Sequence, residues 1–284
     1  MTNILVTGSN GQLGNCIKDL EKKHDNLNLI FTDYQELDIC DLNQVNTYFQ
    51  SKSQIDYCIN CAAYTAVDHA EKDYDQAYQI NTLGAKNLAL ACNSYNSVLI
   101  HISTDFVFDG KKNEPYLESD AANPISVYGD TKLKGEIEIQ EILKKHFILR
   151  TSWLYSEHGN NFMKTMLRLS NEKDSLSIVS DQIGTPTYAG DLAQVVFHII
   201  DIKSQDYGLY HYSNEGVASW FDFANTIFSI KGINIKTNPI DTTDYPTPAE
   251  RPKFSVLDKS KIKEILNIEI PNWKDSLNKC LKVI

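Results

Sequence analysis

Glycine and proline are sparse in this 284-residue chain, at 13 and 8 residues, too few for a collagen-like or low-complexity sequence. No apolar run approaches the ~18 residues that a membrane-spanning helix needs. Positive charge is short as well: 27 Lys and Arg face 37 Asp and Glu, a net charge of −10. That balance argues against nucleic-acid binding through a basic face. It leaves open a small anion held by local backbone amides. The start, Met1-Thr2-Asn3-Ile4-Leu5-Val6, has neither a basic leader nor a cleavage pattern, which argues against secretion by that route. The six cysteines, at 16, 40, 58, 61, 92 and 280, are scattered rather than clustered, as suits a reducing compartment. Cys58 and Cys61 have C-x-x-C spacing, but positions three apart on a strand point to opposite faces. No second Cys/His cluster completes a zinc site, so they read as small buried hydrophobes and no metal is expected. The expectation is a soluble, cytoplasmic protein of one or two domains, with no membrane partner.

The N-terminal half alternates short apolar runs with amphipathic stretches. Candidate strands are Asn3–Thr7, Asn28–Thr32, Tyr57–Cys61, Ser97–Ser103 and Phe147–Thr151. Helical patterns lie near Gln12–Lys23, Leu42–Lys52, Ala77–Ser94 and Tyr128–Lys145, the last with Leu133, Ile137, Ile139 and Ile142 on roughly one face. Strands alternating with helices predict an α/β fold: a Rossmann-like, doubly wound parallel sheet. Further on, Leu176–Val179 and Leu209–Ser213 read as strands, and Asp191–Ile202, Ser260–Leu266 and Trp273–Lys282 as helices. Thr237–Pro252 holds four of the eight prolines and reads as an irregular loop. The predicted division is a dinucleotide-binding domain over 1–153, rejoined by about 178–212. A smaller, partly interleaved α/β substrate domain takes 154–177 and 213–284.

Thr7-Gly8-Ser9-Asn10-Gly11-Gln12-Leu13-Gly14 follows an apolar strand and opens a helix. In such a turn Gly8 permits the tight bend, Gly11 a close approach to a pyrophosphate, and Gly14 close helix packing. The helix N-terminus offers N–H groups to the phosphates. Nineteen residues past Gly14, Asp33 ends the second strand. A carboxylate there accepts from the adenosine ribose hydroxyls and repels a 2′-phosphate, which tilts the choice between NADPH and NADH mildly towards NADH. Leu37-Asp38-Ile39 lies where it can pack beside the adenine, with Asp38 an acceptor for its amino group.

Tyr128-Gly129-Asp130-Thr131-Lys132 puts Tyr and Lys on one helical face. A nearby ammonium would lower the phenol's ordinary ~10 towards neutrality and suit it to proton exchange. The hydroxyl of Thr104, in Ser103-Thr104-Asp105 at a strand end, can hold a substrate carbonyl oxygen.

These residues together resemble the extended short-chain dehydrogenase/reductases. Longer stretches resemble the dTDP-4-dehydrorhamnose reductase family: Asn60-Cys61-Ala62-Ala63-Tyr64-Thr65-Ala66-Val67-Asp68, Ser103-Thr104-Asp105-Phe106-Val107-Phe108-Asp109-Gly110 and Asp181-Gln182-Ile183-Gly184-Thr185-Pro186-Thr187. Arg251-Pro252 followed by Ser255-Val256-Leu257 is similar to that family's C-terminal signature. The resemblance implies reduction of the 4-keto group of a dTDP-linked 6-deoxy-sugar, with Tyr128 the proton donor, Lys132 its tuning partner and Thr104 orienting the carbonyl. It implies a cofactor lined by Asn10, Gly11, Gln12, Leu13, Asp38, Ile39, Ala62, Ala63 and Tyr64. Thr104, Asp105 and Trp153 would face the sugar nucleotide. Two departures stand out. Phe106 replaces the family's common Tyr, and Cys16 stands where some members have a Glu of a dimer-interface magnesium site. Magnesium and that dimer are therefore not carried over, leaving a monomer or a homodimer.

Three other readings compete. A nucleotide-sugar dehydratase would want Asp-Glu after Thr104, where this chain has Asp105-Phe106. An epimerase would keep Tyr128 and Lys132 but fits the longer motifs poorly. A regulatory subunit like that of methionine adenosyltransferase would use the fold only to bind. His101 and His198 read as packing or surface residues, and Asp73/Asp75 and Glu136/Glu138 as solvated faces.

Overall fold

In a computed structural model that describes every residue except Asp25 and Ser53, the first half alternates as the pattern predicts. It runs β1 (Thr2–Thr7), α1 (Gln12–Leu20), β2 (Leu27–Phe31), α2 (Leu42–Ser51) and β3 (Tyr57–Asn60). Then come α3 (Val67–Ala70), α4 (Tyr74–Tyr78), α5 (Ala85–Ser94), β4 (Val98–Thr104), α6 (Val127–Ile142) and β5 (His146–Thr151). The second half is more broken: β6 (Leu154–Tyr155), α7 (Phe162–Glu172), β7 (Ser175–Val179), β8 (Ile183–Gly184), β9 (Thr187–Tyr188) and α8 (Ala189–Asp201). It ends with β10 (Gly208–His211), β11 (Ala218–Ser219), α9 (Trp220–Lys231), β12 (Lys236–Ile240), α10 (Ser260–Leu266) and α11 (Trp273–Leu281).

Six strands form one parallel sheet in the order β10-β5-β4-β3-β1-β2. Both of its faces are covered, so apolar side chains alternate between two cores. Ile4 and Val6 join the cluster under α1 and α8, while Leu5 joins the one under α2 and α5. Cys58 and Cys61 divide between the same two faces, and all six thiols are free. The chain steps from β1 out to β2 and then crosses back to β3. Strand order therefore reverses between β1 and β3, where doubly wound sheets open a crevice at the strands' carboxyl ends.

A third core gathers Tyr155, Met163, Phe223, Trp273 and Leu277 under α7, α9 and α11. Short strand pairs brace this smaller layer: β6 with β9, β8 with β11, and β7 with β12. Among the described residues, no helix is long and apolar enough to cross a membrane.

Three local expectations give way. Thr237–Ile240 is strand rather than loop, because β12 pairs on one side only and so accommodates Pro239. The single helix expected over Ala77–Ser94 is α4 and α5 joined by a π-helical turn, Gln79–Gly84. On α6 the buried face is Gly129, Thr131, Lys132, Gly135, Glu136 and Ile139, while Ile137 is 45% exposed. That helix docks through polar pairs: Asn81 Nδ2 donates to Thr131 Oγ1 (3.1 Å) and Thr82 Oγ1 to the Thr131 carbonyl (2.8 Å). Hydrophobic periodicity does not register such a face.

Candidate active site

The glycine turn lies at the crevice. Gly8 has φ +63°, and a Cβ there would fall 2.5 Å from the backbone of Ala62. Gly14 meets the backbone of Ser9 equally closely. No side chain caps α1 at Gly11, so its first-turn N–H groups and positive dipole end serve the groove rather than the protein. Asp33 is pinned at the end of β2, its Oδ2 accepting from the Asn10 N–H (2.9 Å) and Oδ1 from that of Tyr34 (2.8 Å). Asp38 Oδ1 accepts from the Cys40 N–H (2.9 Å). Gly8, Gly11, Asp33, Asp38, Ile39, Ala62 and Ala63 line a groove of about 720 Å³. Asn10, Gly14 and Tyr64 stand off its wall. The Asn10 side chain turns to Lys18 (3.0 Å), and Tyr64 is held through both of its backbone groups by Asn81.

A second cleft of about 650 Å³ adjoins the first at Gly11, Cys61 and Ala63. Gln12, Leu13, Thr104, Asp105, Tyr128, Lys132 and Trp153 line it. Thr104 caps a short 3₁₀ turn, its Oγ1 accepting from the Phe106 N–H (3.2 Å) and donating to Asp105 Oδ1 (3.1 Å). Asp105 is buried, and its Oδ2 has no hydrogen-bond partner among the described residues. Burial pushes its carboxyl up to about 6, against the pull of the Ser255 and Thr104 hydroxyls. Burial also pushes Tyr128 up to about 12; the Thr104 hydroxyl pulls down and the Asp105 charge pushes up. The expected ammonium effect is therefore not what governs Tyr128 in this state. Lys132 is itself drawn down to about 8 by burial, against the Glu136 carboxylate, and its Nζ donates to the Ile102 carbonyl at 2.6 Å.

Behind this wall lies polar structure that the sequence did not announce. Glu136, expected on a solvated face, is 1% exposed and clamped by Arg150: Nε to Oε1 at 2.9 Å and Nη2 to Oε2 at 2.6 Å. Ser103 Oγ donates to the same carboxylate. His101, expected as packing, sits buried between Asn60 and Lys132.

On the far side of the cleft the Trp153 indole stacks on Trp220, 3.6 Å between ring centroids and 6° from parallel. Trp220 Nε1 donates to Gln182 Oε1 (3.0 Å). Arg251 also lines the cleft and pairs through both terminal nitrogens with Asp68 (3.0 and 2.8 Å). Gln12 Oε1 accepts from Ser156 (3.1 Å) and Asn161 (2.9 Å), tying the glycine turn to the segment before α7. Trp220 carried no local signal beyond its rarity, whereas Arg251 lay in a motif already noted.

The whole chain, residues 1–284, matches the family model described as the RmlD substrate binding domain. It is 41% identical to the dTDP-4-dehydrorhamnose reductase of Aggregatibacter actinomycetemcomitans, over 98% of this chain and 97% of the other. The chain belongs to the dTDP-4-dehydrorhamnose reductase family, a family of nicotinamide-dependent oxidoreductases. Solved structures of the family superpose closely. The Clostridium acetobutylicum reductase gives a TM-score of 0.95 at 46% identity, covering 99% of both chains. The Bacillus anthracis enzyme, solved in complex with NADP, gives 0.95 at 40% identity over 100% of both.

The magnesium of some family members finds poor ligands here. Cys16, Glu157 and His158 bring donor atoms within 4.8 Å of one another. Magnesium takes oxygen ligands, and the Cys16 thiol is held protonated, pushed up to about 12 by burial and by the charges of Glu157 and Asp19. His158 Nε2 is engaged by Asp19 at 2.6 Å.

Proposed function

We propose that this chain reduces the 4-keto group of dTDP-4-dehydro-L-rhamnose to give dTDP-L-rhamnose, with Tyr128 as proton donor. One observation carries the reading: Thr104, Tyr128 and Lys132 share a cleft with the first turn of α1 and with Trp153. A nicotinamide cofactor would fit the groove at the start of α1, where no side chain caps Gly11, and would supply the hydride when bound. Gly8, Gly11, Asp33, Asp38, Ile39, Ala62 and Ala63 would hold it through backbone and carboxylate contacts, and Gln12 and Leu13 through the open helix end.

The residues of the chain then do the remaining chemistry. Thr104 turns its hydroxyl from Asp105 to the sugar's C4 oxygen and orients the carbonyl. Tyr128 gives its phenolic proton to that oxygen as negative charge builds on it. A phenol held well above neutrality keeps its proton until then, which suits a donor in reduction. Lys132 binds the ribose and answers the charge left on Tyr128. Trp153, backed by Trp220, offers a flat apolar wall to the sugar ring, and Asp105 accepts from a sugar hydroxyl. We take residues 1–153 with about 178–212 as the dinucleotide domain and the rest as the substrate layer, from which Trp220 backs the sugar-facing indole.

The test is turnover of dTDP-4-keto-6-deoxy-sugar epimers with NADPH and with NADH, the product sugar being identified. dTDP-L-rhamnose is the expected product. No nicotinamide oxidation with any epimer would overturn the reading.

A further inference from the structure

Outside the cleft, α1 and the segment between β6 and α7 bring together three donors of different chemistry. Cys16 Sγ, a carboxylate oxygen of Glu157 and a ring nitrogen of His158 all lie within 4.8 Å of one another. Cys16 is buried on α1, while Glu157 and His158 are half-buried, so the cluster can be reached from solvent. Cys280, on α11, stands behind it, with Sγ 3.7 Å from Glu157 Oε2.

Two features point to a cation as the ligand. The first is charge. Glu157 and Asp19 bring two carboxylates to the cluster, and among the described residues no Lys or Arg pairs with either. Glu157 instead receives neutral donors, the Tyr188 hydroxyl at Oε1 (3.0 Å) and the Cys280 thiol. The second is support. His158 Nε2 donates to Asp19 Oδ2 at 2.6 Å, which leaves the lone pair of the neutral ring on Nδ1. A carboxylate behind the histidine is the outer shell that metal sites commonly use to orient an imidazole.

We propose that Cys16, Glu157 and His158 bind one zinc ion in each chain, stapling α1 to the segment that leads into α7. The donor set selects the metal. A thiolate, an imidazole and a carboxylate suit Zn²⁺, which takes all three in tetrahedral geometry, whereas magnesium and calcium take oxygen. Bonds of about 2.0–2.3 Å to zinc set donors about 3.3–3.7 Å apart. Glu157 and His158 therefore draw in by about 1 Å towards Cys16, which α1 holds in place, and water takes the fourth position. On binding, the Cys16 S–H bond breaks, an S–Zn bond forms and one proton leaves to water. The charges of Glu157 and Asp19, which disfavour a bare thiolate at Cys16, favour the dication.

The consequence is mechanical and does not rest on the proposed reduction. The segment that carries Glu157 and His158 continues into Gly159, Asn160 and Asn161, which line the cleft, and Asn161 already reaches back to Gln12. Zinc at Cys16 adds a second tie between the same two elements, one that stays clear of the reacting groups. The donors come from opposite halves of the chain, so no spacing in the sequence announces them.

The experiment takes full-length protein, reduced and stripped of metal by a chelator, and titrates it with Co²⁺ as a coloured stand-in for zinc. One equivalent should bind with the visible bands of a tetrahedral site and a near-ultraviolet thiolate-to-cobalt band. Zn²⁺ should abolish both, and excess Mg²⁺ should leave them. Cys16→Ser should remove the thiolate band, and His158→Gln should weaken binding by at least about 10-fold. Cys40→Ser and Cys61→Ser, at the other partly exposed thiols, should change neither. The site is overturned by a thiolate band that survives Cys16→Ser, by one lost in Cys40→Ser or Cys61→Ser instead, or by no saturable uptake of either ion. If Cys16→Ser does not fold, His158→Gln still decides, since unchanged affinity there overturns the site. Zn²⁺ should also raise the thermal midpoint of the parent and not that of His158→Gln; equal shifts would place the ion elsewhere. None of these readouts needs cofactor or sugar, so they stand apart from a failure of the reductase reading.

Discussion

The two ends of the groove are built of different material. The glycine-turn end is mostly backbone: a left-handed Gly8, close contacts at Ala62 and Ser9, and a helix start that no side chain caps. The Tyr128 end is built of buried polar side chains paired across elements, Lys132 with His101, Asn81 with Thr131 and Glu136 with Arg150. Backbone-built sites are robust to most side-chain changes, because the groups that do the binding are in every residue. Side-chain-built sites are exacting, since each buried polar group left without its partner costs free energy that folding must offset. Substitutions should therefore act differently at the two ends.

The largest effect belongs to the polar end. Tyr128→Phe removes one hydroxyl and should lower kcat for keto reduction by roughly 10²–10⁴-fold, the usual range for a positioned general acid. Cofactor affinity, read by fluorescence titration, should scarcely move; near-normal turnover would reject Tyr128 as the donor. Glu136→Gln comes next. It leaves the buried Arg150 cation without its counterion, so urea unfolding should report a loss of about 3–5 kcal/mol.

Asp105 gives a pH-dependent case at the same end. Its carboxyl rises from 3.8 to about 6 on folding, so between those values the folded protein binds more protons than the unfolded one. Stability then increases as pH falls through that window, and the burden of the charge is complete above about 6. The Asp105→Asn variant should unfold later than the parent at pH 8, by on the order of 3 kcal/mol, with the gap closing towards pH 4. A gap that is independent of pH would show that the charge is not the cause.

The same contrast explains what could be read from the sequence. The turn at Gly8–Gly14 and the acid at Asp33 follow from spacing along one strand–turn–helix unit, and short apolar runs marked β1 and β3. Where polar partners lie far apart in the chain, periodicity misleads. Glu136 meets Ser103 and Arg150, and Lys132 meets His101, so α6 turns a charged face inward and leaves Ile137 outside. Trp220 reaches the cleft from α9, 67 positions beyond Trp153, with nothing in its neighbourhood to announce the stacking. The π-helical turn that carries Asn81 likewise has no local marker, since it is fixed by its contacts with Tyr64 and Thr131.

Smaller effects should probe the edges of the contrast. Trp220→Ala removes the plate behind Trp153, and a stacked aromatic pair contributes about 0.5–1.5 kcal/mol beyond its buried area. KM for the sugar nucleotide should rise by about 2–10-fold while kcat holds; equal losses in both would mean that the indole acts on the reacting geometry instead. Asp33 yields the smallest change and the sharpest, because it is, with Asp38, one of two charged side chains with a proposed ligand role at the backbone-built end. Its carboxylate holds the Asn10 and Tyr34 N–H groups and, on the proposed reading, presents negative charge where a 2′-phosphate would lie. Removing that charge at a solvent-exposed site is worth about 1 kcal/mol, so Asp33→Ala should raise the NADPH to NADH ratio of kcat/KM by about fivefold. Asp33→Asn loses the charge but keeps one acceptor oxygen, enough for one of the two N–H groups, where Ala keeps none. If both variants move the ratio alike, Asp33 discriminates by charge. If only Ala moves it, the side chain serves the loop, and the glycine-turn end is backbone-built even in its choice of cofactor.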